Sequence, residues 1–192
     1  MKKNRGRDIF QRYRRIILFF SRCCLIMPLK IRKKLFERKR YSKGFYGIAV
    51  RYILFCSIAQ KCGSNVLINQ GCYILNPERM CVGNNVSIQP MCYLEASGGI
   101  VIGDDVSIAH GATILSSSHN YKDISVPIKD QSLKFSQTKI GSNVWMGAKA
   151  TILCGINIED GCVIGAGAVV THDIKKDSVV AGVPAKMVKT RL

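Results

Sequence analysis

From residue 62 onward the chain keeps a six-residue beat of apolar positions. Val82, Ile88 and Leu94 carry it, then Ile102, Ile108 and Ile114, then Ile140, Met146 and Ile152, then Ile158, Ile164 and Val170. Upstream, Cys62, Ile68 and Ile74 fit the same frame. Eleven of these fifteen positions are followed four residues later by a second small or aliphatic residue of the repeat: Val66, Cys72, Val86, Cys92, Val106, Ala112, Val144, Ala150, Ile156, Cys162 and Ala168. The sixes group in threes, with groups starting at 62, 82, 102, 140 and 158. Three short faces per group predict one turn of a triangular coil. The apolar residue points inward and the small one fits a tight corner. Stacked coils bury a continuous core that no single coil makes alone. The pattern therefore predicts an all-β solenoid of about five coils over residues 62–171. An ordinary sandwich of alternating strands does not hold a six-residue register through so many units.

One interruption breaks the beat. After 102 the next group is due near 122, yet it starts at 140. The excess, roughly 18 residues, contains the polar stretch "SSSHNYKDISVPIKDQ" (Ser116–Gln131). A long excursion from a regular solenoid is usually functional. The loop, taken as 116–139, carries His119, one of only three histidines.

Residues 1–61 follow a different pattern. Ile9, Phe10, Tyr13, Ile16, Ile17, Phe19 and Phe20 lie among arginines and read as a basic amphipathic helix. "FYGIAVRYILFCSIA" (Phe45–Ala59) reads as a second helix that caps the end of the solenoid. Charge sharpens this division. Net charge is +17, but residues 1–61 hold 18 Lys/Arg against 2 Asp/Glu, and the remainder is nearly balanced. Such an arm suits an anionic membrane surface, met through residues 1–40. Nucleic acid is less favoured, since no nucleic-acid fold motif accompanies the charge. A solvated arm that helps trimerisation stays open as a third reading. No run of about 18 apolar residues is present; "IILFFSRCCLIMPL" (Ile16–Leu29) is cut by Ser21 and Arg22. Nor does a cleavage site of the secretory kind follow it. Nine cysteines without a CxxC pair predict reduced, buried thiols, with Cys62, Cys72, Cys92 and Cys162 as core fillers. The corresponding location is cytoplasmic, peripheral on the inner face of the membrane.

The hexads, the histidine loop, "NVWMGAKATI", "VIGAGAVVTHDI" and "VVAGVPAKMV" together resemble the hexapeptide-repeat acyltransferases. The resemblance covers about residues 62–190. It is strongest to the branch that O-acetylates sugars and bacterial surface polysaccharides, related to maltose and galactoside acetyltransferases. It implies a left-handed parallel β-helix, a homotrimer with active sites between neighbouring subunits, acetyl-CoA as donor and no metal. Moving an acetyl group from a thioester to a hydroxyl needs a base, donors for the tetrahedral oxyanion and a groove for the donor's long arm. By resemblance His119 is the base. Glu95 is the nearest acidic candidate to orient it. Asn85 and Trp145 are matched to the acceptor site, and the repeat turns Trp145 outward. Gly147 and Ala148 offer backbone N–H groups to the thioester carbonyl; several relatives have Ser where Ala148 stands. Ala166 and Thr171 match the pantetheine strip, and His172 stands where lysine is common. Lys186 and Lys189, in the segment 172–192 that closes on the donor, meet its phosphates as point charges. N-acetylation of an amino sugar, a serine acetyltransferase-like activity and a non-catalytic binding scaffold remain as alternatives. Zinc-binding γ-type carbonic anhydrases share the fold. However, His110 and His119 are nine residues apart, His172 is two coils away, and the loop and C-terminal motifs are those of acyltransferases.

Overall fold

Each hexad forms a strand of only two or three residues, because the rest of its length is spent turning a corner. The computed structural model describes residues 6–191, and side chains from Phe10 onward. Ile9 lies on the first helix as expected, and its side chain is outside the described ones. Three parallel sheets result. The first face stacks Lys61–Cys62, Met80–Val82, Ile100–Ile102, Thr138–Ile140 and Asn157–Ile158. The second stacks Leu67–Ile68, Ser87–Ile88, Ser107–Ile108, Trp145–Met146 and Val163–Ile164. The third stacks Tyr73–Leu75, Tyr93–Glu95, Thr113–Leu115, Thr151–Ile152 and Val169–Val170. That makes five full coils of a parallel β-helix. Ser178–Ala181 begins a sixth by pairing parallel to Val163–Ile164, and Lys186–Thr190 folds back antiparallel on it.

The hexad residues fill the interior. Ile88, Leu94, Ile108, Ile114, Met146, Ile152, Ile158 and Ile164 are fully buried, and the small corner residues from Val66 to Ala168 are buried with them. Cys72, Cys92 and Cys162 are core residues, as the repeat predicts. Cys62 departs from that reading. It joins Cys56 in a disulfide (Cα–Cα 5.1 Å), because the helix before the solenoid ends directly above the first strand.

The corner between the first and second faces requires left-handed backbone. Asn65, Asn85, Asp105 and Asn143 all have φ of 56° there, a region that Asn and Asp enter at low cost. Their side chains also form a ladder: Asn65 Nδ2 donates to Asn85 Oδ1 at 3.1 Å, and Asn85 Nδ2 to Asp105 Oδ1 at 3.1 Å.

Three helices precede the coils: α1 (Gly6–Cys24), α2 (Leu29–Arg38) and α3 (Gly44–Ile58). An open solenoid end exposes unpaired backbone and core side chains, and α3 covers both. Tyr52, Phe55 and Ile58 bury their side chains, and Tyr52 Oη donates to Gly63 O at 2.9 Å. Arg51, only 2% exposed, satisfies the terminal carbonyls. Its Nε donates to Ile68 O at 2.9 Å, and its Nη1 to Ser42 O at 2.6 Å and Lys39 O at 3.1 Å. Burial lowers its pKa, and carbonyl dipoles are what hold the charge. Arg51→Ala leaves those carbonyls unpaired under a cavity. We expect it to cost about 2–4 kcal/mol in urea-induced unfolding.

Candidate active site

The chain leaves the solenoid at the end of the third face and returns to the first. Between them, Ser117–His119 and Leu133–Phe135 form an antiparallel hairpin with His119 opposite Leu133. Its root is buried and polar. Ser116 is fully buried; its Oγ donates to Glu95 O at 2.7 Å and accepts from Gly98 N at 2.8 Å. Ser136 N closes the base by donating to Ser116 O at 3.0 Å. On the return, the buried Thr138 donates from Oγ1 to Leu115 O at 2.6 Å and accepts from Gly155 N at 3.0 Å.

Glu95 belongs to this root. One oxygen accepts from Ser97 N at 2.7 Å. The other accepts from Ser117 Oγ at 2.7 Å and Ser116 N at 3.3 Å. Burial alone pushes its carboxyl pKa up, but the hydrogen bonds from Ser97 and Ser117 outweigh burial and lower it. No hydrogen bond joins Glu95 to His119 among the described residues. Glu95 instead holds Ser117, two residues before the imidazole. Ser116, Ser117 and Thr138 were not singled out from the sequence, although the Ser116–Ser118 run was the available signal.

Beyond the root the loop braces itself. Ser125 donates to Asp123 Oδ1 through N at 2.9 Å and Oγ at 2.6 Å, and Gln131 Nε2 donates to Asp123 O and Val126 O at 2.7 and 2.9 Å. His119 itself is exposed and has no side-chain hydrogen bond among the described residues. Tyr121, Ile124, Ile128, Leu133 and Phe135 of the same loop are exposed, with Ile124 wholly uncovered.

A second constellation lies on another edge of the prism. Trp145 opens the second-face strand of the fourth coil, 55% exposed, while Met146 turns inward. At the following corner, Gly147 packs so closely on the next coil that a Cβ there would lie 2.8 Å from the Gly165 carbonyl carbon and 2.9 Å from Ala166 Cα. Gly147 N–H is spent on Ile164 O, and Gly167 N–H on Ala148 O. The N–H groups of Ala148 and, one coil on, Ala166 have no hydrogen-bond partner among the described residues. This corner thus presents backbone donors in a row over a flat, side-chain-poor strip, which suits a long amide-bearing arm and a thioester carbonyl. The C-terminal segment closes over it: Val169 N donates to Gly182 O at 3.0 Å and Ala185 N to Val169 O at 2.8 Å. Lys186 and Lys189 follow on the exposed antiparallel strand, opposite Ala181 and Val179.

The remaining expected residues lie elsewhere. Thr171 directly follows the third-face strand Val169–Val170, with its Oγ1 2.8 Å from His172 Nδ1. Asn85 uses both ends of its amide in the corner ladder, so its side chain is committed to structure. Within one chain, His119 stands at the corner from third to first face, whereas Ala148 stands at the corner from second to third.

Three kinds of similarity bear on this site. Residues 137–172 match the family model described as the hexapeptide repeat of succinyl-transferase. Over 78 residues the chain is 44% identical to a Mycobacterium tuberculosis protein named as a probable acetyltransferase, covering 41% of this chain and 26% of that one. Over 65 residues it is 42% identical to WbbJ of Escherichia coli, a protein named for O-acetyl transfer in lipopolysaccharide biosynthesis, covering 34% and 33%. The matched segments thus span about a quarter and a third of these relatives. A galactoside acetyltransferase solved in complex with coenzyme A superposes with a TM-score of 0.75 at 25% identity, covering 87% of this chain and 82% of that one.

Proposed function

We propose that this chain is a hexapeptide-repeat acetyltransferase that moves an acetyl group from acetyl-CoA to a hydroxyl of a sugar or surface-polysaccharide precursor, as a homotrimer. The observation that carries the reading is the division of labour between two edges of the prism. Among the described residues the only large excursion from the coils presents His119, and a separate corner offers an Ala148 N–H that has no partner there. Neither edge alone assembles a site. A cyclic assembly brings the loop of one copy against the corner of the next, and the uncovered Tyr121, Ile124, Ile128 and Phe135 then gain a partner.

In this reading the neutral imidazole of His119 takes the acceptor hydroxyl's proton as its oxygen forms a bond to the thioester carbonyl carbon. Ala148 N–H stabilises the resulting oxyanion. The carbon–sulfur bond then breaks, and His119 returns the proton to the departing thiolate. Gly147 keeps the strip flat, Ala166 and Thr171 follow the pantetheine arm, and Lys186 and Lys189 meet phosphates. Trp145 stands outward beside this strip and offers an apolar face to a sugar ring. Glu95 positions the hairpin that carries the base.

Free-thiol release from acetyl-CoA, followed over a panel of saccharides and amino sugars, tests the reading. The expected result is saturable release with hydroxyl acceptors, with one acetyl mass gained on the product. Turnover with amine acceptors alone moves the assignment to N-acetyl transfer. Absence of any saturable acetyl-CoA binding leaves a non-catalytic scaffold.

A further inference from the structure

We infer that the helical arm docks on an anionic phospholipid bilayer through the uncovered face of α1 and the groove between α1 and α3. This inference does not depend on the transferase reading. One stripe of α1 is already used: Phe10 and Ser21 are buried, Ile17 and Cys24 half-buried, and Phe10 meets the Tyr52 ring edge-on at 5.3 Å. The neighbouring stripe, Tyr13, Ile16 and Phe20 at three- and four-residue spacing, stays exposed. Phe19 packs edge-on against Phe20 at 5.7 Å, itself 62% exposed. Leu25 and Ile26, in the turn that follows, are 58% and 87% exposed. Across from them Phe45 of α3 is 73% exposed. Between the two helices lies an open cavity of about 900 Å³ with Ile17, Tyr52 and Ile53 among its walls. Contiguous apolar surface of this kind marks a contact site rather than free surface.

Charge decides which contact. Residues 1–40 hold fifteen Lys/Arg against Asp8 and Glu37. Arg15, Arg22, Lys30, Lys34 and Arg38 are exposed and have no carboxylate partner among the described residues. A second copy packed on this face would set two strongly cationic arms against each other. A nucleic acid would answer the cations but leave Phe19, Phe20, Leu25 and Ile26 in water. An anionic bilayer supplies negative headgroups and hydrocarbon together, at the depth an amphipathic helix reaches. Among the described residues no helix is long and apolar enough to cross a membrane, so the arm lies in the interface plane.

Flotation of the full chain with vesicles tests this at physiological salt. The chain is expected to float with phosphatidylcholine vesicles containing phosphatidylglycerol and to stay behind with pure phosphatidylcholine. Phe19→Ser/Phe20→Ser should weaken binding at least about tenfold, and Arg15→Glu/Arg22→Glu by more than about tenfold. These side chains are exposed, so both variants should keep the wild-type melting temperature. Three outcomes overturn the inference. One is no flotation of the wild-type chain with anionic vesicles. Another is undiminished binding by the phenylalanine variant, which leaves only charge. The third is self-association that the phenylalanine variant abolishes, without vesicle binding, which makes a second copy the occupant.

Discussion

Replacing His119 by alanine is expected to lower kcat/KM for acetyl transfer by about 10²–10⁴-fold, the usual contribution of a positioned base. Coenzyme A affinity and melting temperature should stay at wild-type values. The asymmetry follows from the structure. The His119 side chain is exposed and makes no hydrogen bond among the described residues, so its removal leaves no cavity and no orphaned partner, and the backbone pairing with Leu133 is kept. The hairpin beneath it is held by Ser116, Ser117, Glu95 and Thr138, none of which the substitution touches. Thiol release with a saturating acceptor reads the chemical step, and calorimetric titration with coenzyme A reads binding. A kcat/KM within about twofold of wild type removes His119 as the base, because proton transfer by a side chain is worth far more than that.

The fold was legible because a solenoid writes its register into every coil. Val82, Ile102, Ile140 and Ile158 recur on one face of the pattern and lie above one another in the first sheet. The position of the loop was legible for the same reason, as a missing group between 102 and 140. What escaped were contacts that no local pattern encodes. Cys62 sits in the hexad frame, but its partner Cys56 belongs to α3, and only packing of the cap brings them together. Glu95 was expected at the imidazole and lies at the loop root instead. Sequence distance of 22 residues to Ser117 says that they occupy neighbouring coils, not which hydroxyl the carboxylate meets. Asn85 was matched to the acceptor, while its equivalents Asn65 and Asp105, one coil on either side, carried the ladder signal in plain view. The strand Ser178–Ala181 extends the second sheet past the last counted hexad, because parallel pairing continues where hydrophobic periodicity has already stopped.

Replacing Ala148 by proline is expected to lower kcat by about 10²–10³-fold, the usual cost of losing one oxyanion donor. The side chain at this position is a methyl group, so in the proposed mechanism only its N–H acts, and proline is the substitution that deletes that group. The chain itself indicates that the corner tolerates it. Two coils earlier Pro90 occupies the same place after Ile88, followed by Met91 at φ 62°, just as Ala148 is followed by Lys149 at φ 57°. The native N–H donates to nothing within the described residues, so no internal hydrogen bond is lost. Circular dichroism and melting temperature should therefore match wild type while turnover falls, and Ala148→Ser, which keeps the N–H, should stay near wild-type kcat. Equal turnover by the proline variant assigns the oxyanion to another donor. The two variants also combine into one test of assembly. If the base and the donor come from different copies of the proposed homotrimer, mixed assemblies of His119→Ala and Ala148→Pro chains contain some interfaces with both groups intact. Co-refolding the two inactive chains should then restore part of the activity. Two variants that stay inactive when mixed would place His119 and Ala148 in a single chain's site, against the separation of their corners around the prism.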